Sequence, residues 1–219
     1  MKAKDLKVLR KKITKANRLD NNVLEHFSND SLKIELLSST LSESPSTPRV
    51  LSLTYCPAKS IDDNQFQEIL QLFEQNMGEM YQNSSWGLDL KEKELEMRHE
   101  KARYLLILDD TKGKIAGFVH FRFEYDDEES PSCAVLYVYE IHVNQMYQRH
   151  GLGRKLMGMA EKIAQNESMS KIVLTVFKSN KEAMAFYDKL GYTIDETSPS
   201  KFGEPADYEI LSCTVPTSS

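Results

Sequence analysis

The chain has 219 residues, a hydrophobic share of 40%, a charged share of 28% and a formal net charge of −5. This composition is typical of a soluble globular protein with one substantial domain and extensions. It excludes a membrane-spanning helix, because no run approaches the roughly 18 apolar residues that one requires, and the acidic balance argues against nucleic-acid binding. No apolar leader is visible, so we expect the protein in the cytoplasm and nucleus. A monomer is expected, although the sequence does not determine the oligomeric state.

The first part of the chain is predicted to differ from the rest. Residues 1–30 form a basic amphipathic helix packed on the core, since its apolar side chains recur every three or four residues; they are Leu6, Leu9, Ile13 and Ala16. A nuclear-targeting or chromatin-contact role for its lysines stays open. Residues 31–48 are rich in Ser, Thr and Pro and are predicted to be a polar linker.

Residues 49–215 are predicted to form the main domain, because strand and helix periodicities alternate along them. Predicted strands cover residues 49–55, 104–108, 115–123, 135–143, 172–177, 192–194 and 208–213. Predicted helices begin at Asp62, near residue 91, after Gly151 and at Asn180. This order indicates an α/β or α+β fold with a mixed sheet. The three cysteines, Cys56, Cys133 and Cys213, are widely spaced and form no C-x-x-C pair. The sequence therefore predicts neither a disulfide nor a metal site.

Two glycines, Gly151 and Gly153, lie where a predicted strand leads into a predicted helix. Unpaired N–H groups and the helix dipole at such a start can hold a pyrophosphate. Arg149, Arg154 and Lys155 add formal charge. Other phosphate motifs are absent, since Leu156 replaces the third glycine of a dinucleotide fingerprint and no G-x-x-x-x-G-K-[ST] occurs.

The pattern Q-x-x-G-x-G at residues 148–153 resembles the acetyl-CoA signature of the GNAT N-acetyltransferase superfamily. A second block, NKEAMAFYDKLGY at Asn180–Tyr192, resembles the helix that follows in that family. The resemblance covers roughly residues 50–213 and implies the GNAT fold, whose mixed central sheet is splayed at the acetyl-CoA site. Acetyl-CoA is then the co-substrate, and the implied contacts are Ile141, His142, Val143, Arg149, His150, Gly151, Leu152, Gly153, Arg154 and Asn180.

Acetyl transfer to an amine requires a group that takes the amine's proton. We predict Glu140 as this base, with Tyr139 assisting, because desolvation between apolar neighbours would raise the pKa of Glu140. Strict alternation places Tyr137 and Tyr139 on one face and Glu140 on the other, although a bulge could re-aim either. Two alternatives stay open, that Glu140 forms a structural pair with an arginine or lysine, and that His142 is the base.

Tyr187 matches the tyrosine that many GNAT enzymes place near the cofactor sulfur as general acid. Its alternative role is aromatic packing beside Phe186.

Further blocks outside the cofactor signature resemble the N-alpha-acetyltransferase D (NatD) family; they include Trp86-Gly87, His120–Phe123, Leu136–Glu140, Leu174–Lys178 and Tyr208–Ser212. This resemblance implies acetylation of the N-terminal serine of histones 4 and 2A, whose tails begin Ser-Gly-Arg-Gly. The implied peptide contacts are Tyr81, Trp86, Tyr137, Tyr139, Thr175, Thr197 and Tyr208. Glu124, Asp126 or Asp127 would pair with the substrate arginine, and the position of Glu124 in the sequence favours it over the other two. This chain departs from the family motif here, because it has five acidic residues where the motif has one.

The acceptor has an alternative, a lysine side chain or a small amine. At pH 7.4 roughly a fifth of α-amines but only about a thousandth of lysines are neutral, from unperturbed pKa values near 8 and 10.4. A site of carboxylate and phenols therefore suits an α-amine better.

Overall fold

The structure is a computed structural model and describes residues 3–18, 23–25, 27–28, 32–36 and 49–216. Its helices are α1 (Ala3–Ala16), α2 (Asp63–Gln82), α3 (Leu90–Met97), α4 (Leu152–Asn166) and α5 (Lys181–Asp188). Its strands are β1 (Lys33–Leu36), β2 (Arg49–Pro57), β3 (Arg103–Asp109), β4 (Lys114–Tyr125), β5 (Ala134–Val143), β6 (Lys171–Phe177), β7 (Thr193–Ile194) and β8 (Tyr208–Thr214). The predicted mixed α/β fold is confirmed.

Within the described residues these strands form one sheet in the order β1-β2-β3-β4-β5-β6-β8-β7. β5 and β6 are parallel and are joined by α4, whereas the other neighbours are antiparallel. Parallel neighbours require such a crossover. The turn before α4 therefore lies at the carboxyl end of β5, the edge where open α/β sheets bind ligands.

The sheet separates two hydrophobic layers. One layer includes Ala16 of α1, Leu156 of α4 and Tyr187 of α5. The other buries Phe73 of α2 and Met97 of α3 against the opposite face. Side chains of the second layer surround the candidate site described below.

Aspartates fix the starts of the two helices on that second face. Asp62 accepts from the Gln65 N–H at 2.9 Å, which confirms the predicted cap of α2, and Asp89 accepts from the first N–H groups of α3. Such caps satisfy donors that have no partner inside the helix. α3 ends at Met97 rather than near residue 102, because residues 99–102 form a tight turn into β3.

The segment before the main domain differs from the prediction at two points. The helix predicted over residues 1–30 ends at Ala16, and the described residues 23–25 form a turn. Residues 33–36, predicted as linker, form β1 and extend the sheet by pairing with β2. Alternation over only four residues was too short to indicate a strand. Residues 37–48 of the predicted linker lie outside the described residues. α1 packs through Ile13 and Ala16, whereas Leu6 is exposed.

Candidate active site

β5 and β6 lie side by side only along their first halves. Their paired register ends at Val138 and Leu174, although β5 continues to Val143 and β6 to Phe177. Beyond that point β5 stays paired with β4, and β6 with β8. The strands are splayed as predicted, so the backbone groups of residues 139–143 that face away from β4 have no partner among the described strands.

A β-bulge at Tyr139 brings consecutive side chains to one face. β4 pairs two consecutive residues with Val138 and Glu140, so Tyr139 between them is the extra residue. Its ring stacks on His120 with centroids 5.0 Å apart. Strict alternation does not hold here, and the bulge that the sequence left open as the alternative is present: it puts Glu140, Tyr137 and Tyr139 on the side of α2 and α3.

Glu140 is only 6% exposed, and both of its carboxylate oxygens have partners. Lys93 Nζ donates to Oε1 at 2.9 Å, and the Tyr81 hydroxyl donates to the same oxygen at 3.4 Å. His142 Nε2 lies 2.8 Å from Oε2. Burial alone would raise the pKa of Glu140, but Lys93 and His142 outweigh burial and lower this pKa to about 2. The predicted rise is therefore wrong, and the carboxylate is paired with a lysine.

His142 connects this carboxylate to α2. Asn76 Nδ2 lies 3.4 Å from His142 Nδ1 and donates to the Val143 carbonyl at 3.3 Å. If Nε2–H donates to Glu140, Nδ1 accepts from Asn76, which is the tautomer this hydrogen-bond pattern assigns. The imidazole is buried, so a cofactor in the splayed opening would meet the backbone of His142.

The turn before α4 has the backbone that a phosphate cradle requires. Arg149 has φ 64° and Gly151 has φ 79°, a conformation that glycine adopts at little cost. No side chain caps α4, which leaves its first N–H groups for a ligand. A Cβ at Gly153 would lie 3.3 Å from the Phe186 ring, so glycine lets α4 approach α5 closely.

The other residues predicted to bind cofactor lie around this turn. Arg149 and Arg154 are exposed and His150 is half-buried, with Nδ1 2.7 Å from the Gln148 carbonyl. The Leu152 side chain is buried in the core, so only its backbone can serve a ligand.

On α5 the two predicted residues have different environments. Asn180 caps the helix by accepting from the Ala183 N–H at 3.1 Å. Tyr187 is buried, and burial together with the charge of Glu140 raises its pKa above the usual 10.0. Its ring also lies 5.2 Å from Phe186, which shows the packing role, and the acid role stays a prediction.

Four rings form what we call the aromatic wall, namely Tyr81, Trp86, Phe177 and Tyr208. Trp86 lies 6.0 Å from Tyr81, 5.1 Å from Phe177 and 5.0 Å from Tyr208, measured between ring centroids. Trp86 is nevertheless 49% exposed. The α2–α3 loop thus carries an aromatic side chain to the end of β6 and the start of β8, where it borders the opening.

The three remaining predicted peptide contacts are Tyr137, Thr175 and Thr197. The hydroxyls of Tyr137 and Thr175 share a hydrogen bond of 2.5 Å across β5 and β6. The Thr197 hydroxyl instead donates to Asp195 at 2.7 Å, and Asp195 accepts from Lys171 at 2.6 Å. Tyr137 and Thr175 are brought together, whereas the hydroxyl of Thr197 is used inside its own turn.

The acidic cluster is divided between strand and loop. Glu124 accepts from the Tyr139 hydroxyl at 2.9 Å and lies 3.8 Å from Arg122 Nη1. Burial raises the pKa of Glu124 despite these two partners. Asp126 accepts hydrogen bonds from Ser132 and from the Cys133 N–H. Asp127 accepts hydrogen bonds from the N–H groups of Glu129 and Ser130. Both aspartates organise the loop, which leaves Glu124 as the acid facing the site.

Sequence reasoning missed Lys93, Arg122, Asn76 and Phe177. One signal could have identified Lys93: together with Leu90 and Met97 it follows three- and four-residue spacing, which puts a lysine on the apolar face of a helix. Arg122 had no such signal, because its stacking over Tyr139, 4.1 Å from the ring centre, depends on the bulge.

The described residues hold neither a candidate membrane span nor a candidate metal site. No helix there is long and apolar enough to cross a membrane. No group of three or more His, Cys, Asp and Glu side chains in the same ranges could hold a metal ion.

Comparison with known proteins places this geometry in a family. Among curated proteins the chain is similar to N-alpha-acetyltransferase 40 of Saccharomyces cerevisiae, 26% identical over 171 residues that cover 68% of this chain and 58% of the relative. It is also similar to 5-NmdU N-acetyltransferase of Pseudomonas phage PaMx11, with 36% identity over 85 residues. These residues cover 39% of this chain and 54% of that relative. The chain thus spans a little over half the length of these curated relatives.

The likeness extends to solved structures. The NatC complex bound to Gag peptide and CoA contains a chain with a TM-score of 0.55 and 18% identity, covering 75% of this chain and 99% of that one. At this identity the likeness shows the fold. The sequence profile of the Acetyltransferase (GNAT) family matches residues 66–192, more than half of the chain and the whole region from α2 to α5. The chain belongs to the Acetyltransferase (GNAT) family.

Proposed function

We propose that the protein is an acetyl-CoA-dependent N-alpha-acetyltransferase that acetylates the N-terminal serine of histone 4 and histone 2A tails. The observation that carries the proposal is the splayed end of β5, which runs from the Glu140 cluster to the Gly151 turn. Acetyl-CoA supplies the acetyl group as a thioester. The backbone groups of residues 139–142 that face away from β4 would hold its acyl arm, and the N–H groups at the start of α4 its pyrophosphate.

Glu140 is the proposed proton acceptor, with Tyr139 beside it. Its lowered pKa makes it a weak base, but the amine becomes far more acidic as its bond to the acetyl carbon forms. A carboxylate that stays ionised throughout the neutral range can then take the proton directly or through water. Tyr187, whose pKa is raised, retains its proton and can donate it to the departing thiolate.

The acceptor is proposed to be the α-amine of a peptide whose first residues have small side chains. The aromatic wall and the Tyr137–Thr175 pair border the opening, which suits small residues such as Ser-Gly. Glu124, with a side chain 19% exposed, would accept from the substrate arginine. The name of the yeast relative, an N-alpha-acetyltransferase, supports this acceptor class.

A second candidate is acetylation of lysine side chains or small amines. The observation that favours it is the phage relative, which is named for a different acceptor, 5-NmdU. For the first candidate we further propose a monomer acting in cytoplasm and nucleus, the compartments where histone tails are met.

A peptide series separates the two candidates. CoA release is followed with Ser-Gly-Arg-Gly-Lys, with the same peptide blocked at its α-amine, and with Ser-Gly-Glu-Gly-Lys. We expect release only with a free α-amine, and a lower kcat/KM when glutamate replaces arginine. Equal rates with free and blocked peptides would reject the α-amine, whereas equal rates with arginine and glutamate would reject the histone-tail preference alone.

A further inference from the structure

The proposed mechanism does not use one buried cation. Lys93 on α3 is 8% exposed, and its ammonium lies 2.9 Å from Glu140 Oε1 and 2.7 Å from Glu96 Oε1. It also lies 5.1 Å from the centre of the Phe73 ring and 5.0 Å from that of Tyr81. A charge this far from water is retained only where partners compensate its desolvation, so the surroundings of Lys93 are built around it.

We infer that Lys93 is a positioning residue for acetyl transfer: its ammonium ties the Glu140 carboxylate to α3 and balances its buried charge at the base of the splayed opening. The inference rests on the proposed function, in which Glu140 takes the amine's proton. It requires that Lys93 acts through Glu140 and does not itself touch the substrate. Both Glu140 oxygens are oriented by this arrangement, Oε1 by Lys93 and Oε2 by His142.

Other charged or titratable groups face Glu140 as well. In the described part of the chain they are Glu96 on α3, Tyr81 on α2, Tyr104 on β3, His120 and Arg122 on β4, His142 on β5 and Tyr187 on α5. Burial and Arg122 lower the pKa of His120 far below its usual value, so this imidazole is neutral. Burial raises the pKa of Tyr104 and Tyr187, so these phenols are neutral too. Lys93 is therefore the ammonium in direct contact with Glu140.

The kinetic test compares Lys93→Met with Lys93→Arg and with Lys91→Met, an exposed lysine on the same helix. With Ser-Gly-Glu-Gly-Lys, a peptide that lacks the arginine proposed to meet Glu124, log(kcat/KM) of the wild type should fall with slope one on the acid side, because only the substrate amine gains a proton there. Without Lys93 the buried Glu140 gains one as well, so the slope should approach two and kcat/KM at pH 7 should fall at least about 10-fold. Lys93→Arg should restore slope one.

A slope of one for Lys93→Met, with the same profile as Lys91→Met, would overturn the inference. A double variant with Glu140→Gln gives a further check, because Lys93→Met should add little to the loss that Glu140→Gln causes alone. Additive losses would show that Lys93 acts independently of Glu140.

A second measurement needs no acetyl transfer and so separates this inference from the proposed function. Urea unfolding of Lys93→Met is compared with that of Lys93→Met/Glu140→Gln from pH 5 to pH 8. Without Lys93 the folded pKa of Glu140 rises above its unfolded value, so the single variant should lose stability relative to the double as pH rises. If Lys93→Met is unfolded at pH 7, the double variant should still fold. The inference would be contradicted if the difference in stability between the two variants did not change with pH, or if both were equally unstable.

Discussion

Two carboxylates on the same face of the sheet are held in opposite ways. Glu140 on β5 has an ammonium at 2.9 Å and an imidazole at 2.8 Å, and its pKa is lowered to about 2. Glu124 on β4 has its cation, Arg122, only at 3.8 Å, and burial raises its pKa. Burial alone therefore does not set the charge of a carboxylate, because a counter-charge within about 3 Å can outweigh it.

The difference fits two tasks. A carboxylate tied to a lysine stays charged and fixed, as the proposed proton acceptor requires. A carboxylate whose nearest cation is distant is stabilised more by a second cation that comes into hydrogen-bond contact. Glu124 is therefore suited to bind a substrate guanidinium. The predictions below test this division.

The largest expected effect comes from Glu140→Gln. Loss of the proton acceptor should lower kcat by about 10²–10³-fold with little change in the KM for peptide. Steady-state CoA release measures this, with Glu92→Gln on the exposed side of α3 as the matched control. A kcat within about three-fold of that control would remove Glu140 from the mechanism.

Stability against pH should distinguish the two carboxylates by sign. Because the folded pKa of Glu140 lies below its unfolded value, its contribution to the free energy of unfolding is present above about pH 4.3 and lost as pH falls toward 2. Relative to Glu140→Gln, the wild type should lose on the order of 2 kcal/mol between pH 6 and pH 3. Glu124 should behave oppositely, because its raised folded pKa makes the wild type lose stability relative to Glu124→Gln as pH rises. Urea unfolding at each pH measures both differences in the free energy of unfolding. If both differences change in the same direction with pH, the two carboxylates are not held in opposite ways.

Glu124→Gln should affect binding more than chemistry. We expect about a 10-fold rise in the KM for Ser-Gly-Arg-Gly-Lys with kcat nearly unchanged, because a charged hydrogen bond becomes a neutral one. Glu129→Gln, on the exposed part of the acidic loop, is the control. If Ser-Gly-Glu-Gly-Lys shows the same rise in KM, Glu124 does not read the arginine.

The smallest expected effect belongs to Tyr139→Phe. The hydroxyl donates to Glu124, and its loss should raise the KM for peptide by about three-fold. The ring remains to stack on His120 and Arg122. A loss of kcat as large as that of Glu140→Gln would instead make Tyr139 the base.

The sequence alone was enough to predict features that depend on local pattern. The positions of the strands, the Asp62 cap and the Gly151 turn are encoded within a few residues, and these have the predicted form. The orientation of Glu140 and its pKa depend on the bulge at Tyr139 and on Lys93, 47 positions away in the chain. No local pattern carries the contact with Lys93, so the direction of the pKa shift was predicted wrongly, and the bulge could be foreseen only as an alternative to strict alternation. β1 was missed for a related reason, because four residues become a strand only when β2 pairs with them.

The central claim is that the splayed site transfers an acetyl group to an α-amine. Its most direct test is to incubate the protein with acetyl-CoA and Ser-Gly-Arg-Gly-Lys, whose α-amine and lysine compete within one molecule, and to locate the added acetyl group by fragmentation mass spectrometry. We predict that the acetyl group is on the N-terminal serine. An acetyl group found on the lysine alone would contradict the account.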